Sequence, residues 1–205
     1  NKMTTKQIFV DNSLIESEDI KFNDNLVQKD LMRAAILCND STSVDGKEIG
    51  DPTEVALVNL GHVHSLNEQD VRDEFKRLKE IPFDSDRKLM STLHYIDNKY
   101  VMYTKGALDV LLDRTTHIRT SEGVKEITQA DKDRILNTNQ YLSENGLRVL
   151  SFAYKELDSE KELSLDDENN YTFLGLISMI DPPRVESAEA VKDCIMAGIK
   201  PIKIG

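Results

Sequence analysis

The side chains with the most chemistry in this 205-residue chain gather between Phe83 and Gly106. The run reads Phe83-Asp84-Ser85-Asp86-Arg87-Lys88-Leu89-Met90-Ser91, alternates to Ile96, breaks at Asp97-Asn98, and returns to Lys105-Gly106. Two alternating runs about a polar break predict a β-hairpin, although Asp-Asn is a weaker turn signal than Asn-Gly. On the return strand Val101, Tyr103 and Lys105 share a face. A cation ending an apolar face is costly to desolvate unless an anion or a ring system waits there. Phe83 is followed by small and charged residues, which could leave its ring exposed beside the basic pair Arg87-Lys88. An aromatic platform with lysines near it suits a purine and its phosphates. Taken alone, the stretch favours the plainer reading, a core phenylalanine in a strand with solvated charges.

Two further side chains could join such a site. Asp51-Pro52-Thr53-Glu54 has the chemistry of a helix start: Asp51 can cap, Pro52 suits the first helical position, and Glu54 sits where a capping-box acid belongs. The sequence favours that capping role for Glu54; the functional alternative is a carboxylate accepting a hydrogen bond from a ligand amine. Arg148 alternates with Leu150, Phe152 and Tyr154. It is therefore either a rim residue snorkelling to water or a fixed cation over a cleft, and the two readings stand level.

Composition limits the rest. The net charge of −11 leaves no basic field for general nucleic-acid binding, so a phosphate site must be a local cluster on an acidic body. Cys38 and Cys194, with no CxxC spacing, point to a reduced compartment and no zinc site. No apolar run approaches a membrane span and no signal-peptide pattern is present, so the chain reads as soluble and cytosolic. His62 and His64, two apart on a predicted helix, point in different directions and make a poor metal pair. GxxxxGK[ST], GxGxxG and G-x-S-x-G patterns are absent, and no residue stands out as catalytic.

The elements that must position these residues follow from caps and periodicity. A short strand is expected over 7–10 and a helix after Asn25, with apolar Val27, Leu31, Ala34, Ala35 and Cys38 at helical spacing. A loop with an Asp45-Gly46 turn follows. Helices begin at Pro52 and after Asn67, and another covers 107–114. Ser121-Glu122-Gly123 turns between short strands. Thr128 and Asp131 open a helix that Asn145-Gly146 closes. A strand over 147–155 precedes an acidic segment, 156–170, expected to be a solvated loop without the spacing of a calcium loop. Residues 171–180 read as a strand buried on both faces. Asp181-Pro182-Pro183-Arg184 breaks the chain, and a helix-then-strand unit occupies 185–204.

In combination the motifs say more. The chain resembles the nucleotide-binding domain of a P-type cation-transporting ATPase, most similar to the calcium-pump-like (type II) branch and to bacterial members. The resemblance rests on Asp51-Pro52-Thr53-Glu54-Val55-Ala56-Leu57, the Phe83–Ser91 run, Lys105-Gly106-Ala107, Gly146-Leu147-Arg148-Val149-Leu150 and Met179-Ile180-Asp181-Pro182-Pro183-Arg184. It implies an α/β (α+β) fold, a twisted and mainly antiparallel sheet flanked by helices. It places the nucleotide-binding domain at 11–180, with hinge and partial phosphorylation-domain segments at 1–10 and 181–205. It further implies that Phe83 stacks on adenine, Lys88 lines the same pocket, Lys105-Gly106 forms its back, Glu54 lies near the adenine amino group and Arg148 reaches the phosphates. The implied cofactor is ATP, as Mg-ATP in the parent protein. The implied partners are the phosphorylation, actuator and transmembrane domains of the same chain, which would sit in the cell membrane with this domain cytoplasmic.

The chain departs from the family pattern at several positions. Leu108-Asp109 stands where Pro-Glu is usual after Lys105-Gly106-Ala107. Ser85 occupies a position that carries a phosphate-holding arginine in some animal pumps. The tail Ile202-Lys203-Ile204-Gly205 does not continue as Thr-Gly-Asp, and the phosphorylated Asp-Lys-Thr-Gly-Thr sequence is absent. The expectation is a fragment that binds ATP without turnover. The competing readings are a non-enzymatic acidic interaction module and a haloacid-dehalogenase-type phosphohydrolase, which would need an Asp-x-Asp-type loop not found here.

Overall fold

The computed structural model of the protein describes residues 2–182. The predicted unit at 185–204, Cys194 and the end of the Asp181-Pro182-Pro183-Arg184 break lie outside the described residues.

In chain order the elements are β1 (Thr4–Val10), β2 (Ser13–Glu16), α1 (Leu26–Leu37), β3 (Thr42–Val44), β4 (Lys47–Ile49), α2 (Pro52–Val63) and α3 (Glu68–Glu74). Then come β5 (Lys79–Asp84), β6 (Leu89–Ile96), β7 (Lys99–Gly106), α4 (Leu108–Asp113), β8 (Thr115–Thr120) and β9 (Gly123–Glu126). α5 (Gln129–Glu144), β10 (Arg148–Leu157) and β11 (Tyr171–Ile180) complete the fold. The main sheet runs β2-β1-β11-β10-β7-β6-β5, with β8 and β9 attached beside β11. Its described pairings are antiparallel except β11 with β8. This is the expected α+β architecture. β1, the segment expected to carry one hinge, pairs along β11 from Thr4↔Ile180 to Val10↔Gly175.

Local chemistry accounts for most boundaries. Asn25 accepts from the Gln28 amide at the start of α1, and Thr128 and Asp131 close a reciprocal capping box on α5. Asp97 and Asn98 both take positive φ, 51° and 66°, the conformation a two-residue hairpin turn requires. The Asp45-Gly46 turn is also present, but it joins a small β3–β4 hairpin where sequence suggested only loop. Leu108, where the resemblance leads one to expect proline, opens α4 and is buried with Leu112 and Ile135. Proline suits a first helical position because its missing N–H would be unused there; leucine keeps the helix and adds packing.

Two layers of side chains sandwich the sheet. α1 and α2 bury Leu31, Ile36 and Leu57 against Tyr103, Phe152 and Ile177. The reverse face packs Leu89, Leu93 and Met102 with Leu111 of α4, and Phe173 and Leu176 with Ile135 of α5. β11 is buried from Tyr171 to Met179 apart from the half-buried Thr172, as expected of a central strand.

Candidate functional site

Strand register carries four chain segments to one end of the sheet. Ile81 pairs with Ser91 and Asp84 with Leu89, which leaves Pro82-Phe83 as a bulge opposite Met90. Met90 pairs with Lys105 and Leu89 with Gly106. Ser151 then pairs with Gly106 and Phe152 with Lys105, so β10 starts, at Arg148, at this same end. A bulge frees a residue from the ladder and re-aims its side chain. Phe83 is 58% exposed, which corrects the plainer reading of a core phenylalanine.

Two strands in from the bulge, at the same sheet end, lies a buried ion pair. Lys105 occupies the helix-covered face with Val101 and Tyr103, and its Nζ meets the Glu54 carboxylate. Side-chain exposures of 8% and 13% put both charges largely out of water. Of the two partners the sequence left open for Lys105, an anion or a ring system, the chain itself supplies the anion. Glu54 does not reach back to cap α2. Its Oε1 instead accepts from the Asp40 amide at 3.3 Å and the Ser41 hydroxyl at 3.2 Å, while Asp51 alone caps, from the Thr53 amide at 2.8 Å. The capping-box reading of Glu54 is therefore corrected. A carboxylate has roughly four acceptor positions, so with three donors engaged Glu54 can take about one more.

Gly106 is required by close approach. A Cβ there would collide with the carbonyl oxygen of Lys88, and the Ala107 amide donates to that same oxygen at 3.2 Å. Lys88 itself has φ of 65°, held where its amide donates to Asp84 O at 2.6 Å. The Asp84 carboxylate accepts from the Asp86 amide at 3.0 Å. The turn 84–88 is thus closed by its own backbone, and the Lys88 side chain stands exposed. Arg148 is exposed too, its Nη2 4.0 Å from Asp181 Oδ2. Its face is that of Leu150, Phe152 and Tyr154, and among the described residues its charge partner is Asp181. Glu54 with Lys105 and Lys88 with Gly106 are in contact; Phe83 and Arg148 share the sheet end with them.

Several supporting residues carried no sequence signal. Asn39 donates to the carbonyls of Ala35, at 3.1 Å, and Glu54, at 2.9 Å, tying the end of α1 to the start of α2. Arg77 Nη2 donates to Leu37 O and Asn39 O, each at 3.1 Å. Glu168, from the acidic segment expected to be solvated, is fully buried and faces Arg87. Cys38 is buried beneath the Met90 and Tyr103 carbonyls, and burial pushes its thiol pKa up, which makes it unreactive. His62 is taken by Glu68 at 2.7 Å and His64 by Ser17 O at 2.8 Å. Two surface cavities among the described residues lie elsewhere. One of about 530 Å³ borders α5 at Asp133, Arg134 and Tyr141, and one of about 360 Å³ opens between α1 and the β6–β7 hairpin tip.

A family model described as P-type ATPase, cytoplasmic domain N, matches residues 27–186. The whole chain is 41% identical to Calcium-transporting ATPase 1 of Bacillus cereus, covering 23% of that protein. Over 98% of its length it is 39% identical to Calcium-transporting ATPase 1 of Lactococcus lactis, covering 24% of it. A yeast relative, Calcium-transporting ATPase 1 of Saccharomyces cerevisiae, is 37% identical over 82% of the chain and 18% of its own length. The chain spans about a quarter of the length of the bacterial relatives.

Proposed function

The chain belongs to the family of P-type ATPase cytoplasmic N domains, and from that premise we propose that it holds ATP at the sheet end carrying Phe83. In this reading adenine stacks on the Phe83 ring, an arrangement any purine face can make. The Lys105–Glu54 pair forms the rear wall, with the remaining acceptor position of Glu54 turned to the adenine amino group. Lys88 and Arg148 supply charge-assisted contacts to the phosphates. Mg²⁺ would travel on the triphosphate oxygens and neutralise them.

The chain then contributes grip and delivery rather than bond-breaking. The γ-phosphate would pass to an aspartate in another part of the parent protein when the domains close. The parent would be a calcium pump of the cell membrane, a reading supported by the names of the relatives. Residues 11–180 would form the nucleotide unit, and 1–10 and 181–205 would lead through the hinge to the phosphorylation, actuator and transmembrane domains.

The observation that carries this reading is an aromatic ring 58% exposed on a bulge beside a buried cation–carboxylate pair. Millimolar ATP should shift the amides of Phe83, Lys105 and Arg148 in a titration followed by NMR. Stacking on an aromatic side chain contributes about 1–3 kcal/mol, so Phe83→Ala should weaken ATP by about fivefold or more. Unmoved amides, or an affinity indifferent to Phe83→Ala, would remove the reading and favour an acidic interaction module.

A further inference from the structure

The turn that presents Phe83 and Lys88 is braced from the reverse side of the sheet. Arg87 is the clasp: its Nη2 donates to Pro82 O at 2.9 Å and to Leu89 O at 2.6 Å. Those carbonyls flank the bulge and the start of β6, so one guanidinium fixes both legs of the turn. The only carboxylate paired with Arg87 among the described residues is Glu168, Nε to Oε1 at 2.7 Å, with side-chain exposures of 11% and 0%. Neither of those two atoms has a hydrogen-bond partner, so charge rather than alignment holds the contact.

Glu168 is itself immobilised. Its Oε2 accepts from Ser91 Oγ at 2.6 Å, and Ser91, Thr104 and the Tyr171 hydroxyl follow in series at 2.7 and 2.6 Å. Its carbonyl accepts from Arg114 Nη1 at 3.1 Å. Immediately before it Asp167 closes a cap on Ser164, and Lys155 Nζ donates to Asp167 O at 3.1 Å. A carboxylate buried among hydroxyls and one guanidinium is costly to desolvate, and packing could be satisfied by an apolar residue at less expense.

We propose that Glu168 is a positioning residue for nucleotide binding, setting the Phe83–Lys88 turn through Arg87 without touching the ligand. This rests on the nucleotide reading given above. The end of the acidic segment is then a strut for the site and not a solvated loop. Removing the carboxylate charge frees Arg87 to leave the Pro82 and Leu89 carbonyls, and the bulge that aims Phe83 loses its clasp.

The test is an ATP titration by amide shifts on the whole chain, below the thermal midpoint of every variant. Glu168→Gln keeps the Ser91 contact and removes the charge. It should move the Phe83 and Lys88 amides before ATP is added, leave those at the far hairpin tip (Asp97 and Asn98) in place, and weaken ATP about tenfold, within the usual range for coupling between sites. The same change added to Arg87→Gln should cost nothing further, because both act through one contact. A folded Glu168→Gln chain with ATP affinity within about twofold of the parent and an unmoved Phe83 amide overturns the proposal, leaving Glu168 structural. Should the single variant not fold, Arg87→Gln/Glu168→Gln leaves neither charge orphaned and decides alone: about tenfold weaker binding supports the proposal, and parent affinity overturns it. A parent chain whose Phe83 amide ignores ATP fells the nucleotide reading and this inference together, an outcome distinct from a variant that binds as well as the parent.

Discussion

The two ends of the helix-covered sheet face carry similar side chains and use them differently. At the far end, Asp30 Oδ2 meets Arg119 Nη1 at 2.5 Å and its Oδ1 lies 3.9 Å from Arg33. Arg33 also lies 3.6 Å from Asp97 and covers the Phe75 ring at 4.7 Å. This region surrounds the cavity of about 360 Å³, yet its main charges are matched and the tyrosines that line it, Tyr103 and Tyr154, are buried. At the near end the buried charges are matched, but Phe83 lies open and Lys88 makes no ion pair among the described residues. A large cavity is the usual first guess for a ligand site; here unmet binding capacity, held on a braced turn, is the better guide. Volume among satisfied groups offers a ligand little that water does not.

The comparison breaks most visibly if the near-end brace is not a brace. Lys105→Met leaves Glu54 buried without its cation, and breaking a buried pair from one side costs about 3–5 kcal/mol. Urea unfolding should show a loss of that order, with ATP binding lost as well. Lys105→Met/Glu54→Gln should recover a large part of the stability but not the binding. A Lys105→Met chain as stable as the parent would show that the near end is no better supported than the far one.

Acid should discriminate the ends next. His94 on β6 is buried, its Nδ1–H donating to Phe75 O at 2.8 Å and its Nε2 accepting from Thr92 Oγ1 at 2.9 Å. Burial pushes its pKa down to about 4. As pH falls the unfolded chain, with a histidine near its ordinary value of about 6.5, takes up the proton first. The stability from a neutral His94 is therefore complete above about pH 6.5 and lost progressively toward pH 4, about 3 kcal/mol in all. Denaturation midpoints measured across that window should fall in the parent, and this component should vanish in His94→Gln.

Local chemistry was legible in the sequence and distant pairing was not. Asp51, Thr128 with Asp131, Asn25 and the Asp97-Asn98 turn each act within four residues, so pattern alone located them. The apolar face of β7 was legible too, and with it the need for an anion or a ring system near Lys105. That the anion is Glu54, 51 residues away, followed only from the fold, since nothing local separates a capping carboxylate from one that turns inward. Glu168 was harder still. It sits among the acids of 156–170, and its burial depends on Ser91, 77 residues earlier. The exposure of Phe83 was one of two readings its small and charged neighbours allowed, and what decides it, a bulge between two strands, leaves no local pattern. The β3–β4 hairpin leaves no sequence pattern, because strands of three residues are too short to show alternation.

The smallest expected effect is the most useful control. Asp30→Asn at the far end removes the carboxylate charge between Arg119 and Arg33, whose side chains are about a fifth exposed, 21% and 17%. Water reaches these groups, so the loss in stability should be about 1 kcal/mol. Its effect on ATP should be nil, because the pair lies beyond Tyr103 and Tyr154 on the face whose other end holds Lys105. Measured by the same titration as Phe83→Ala, the two substitutions should separate cleanly: Asp30→Asn lowers the urea midpoint and spares binding, while Phe83→Ala does the reverse, since an exposed ring leaves little packing to lose. Were Asp30→Asn to weaken ATP as much as Phe83→Ala, the ligand would belong to the far cavity, and the braced turn would be only the edge of a well-made sheet.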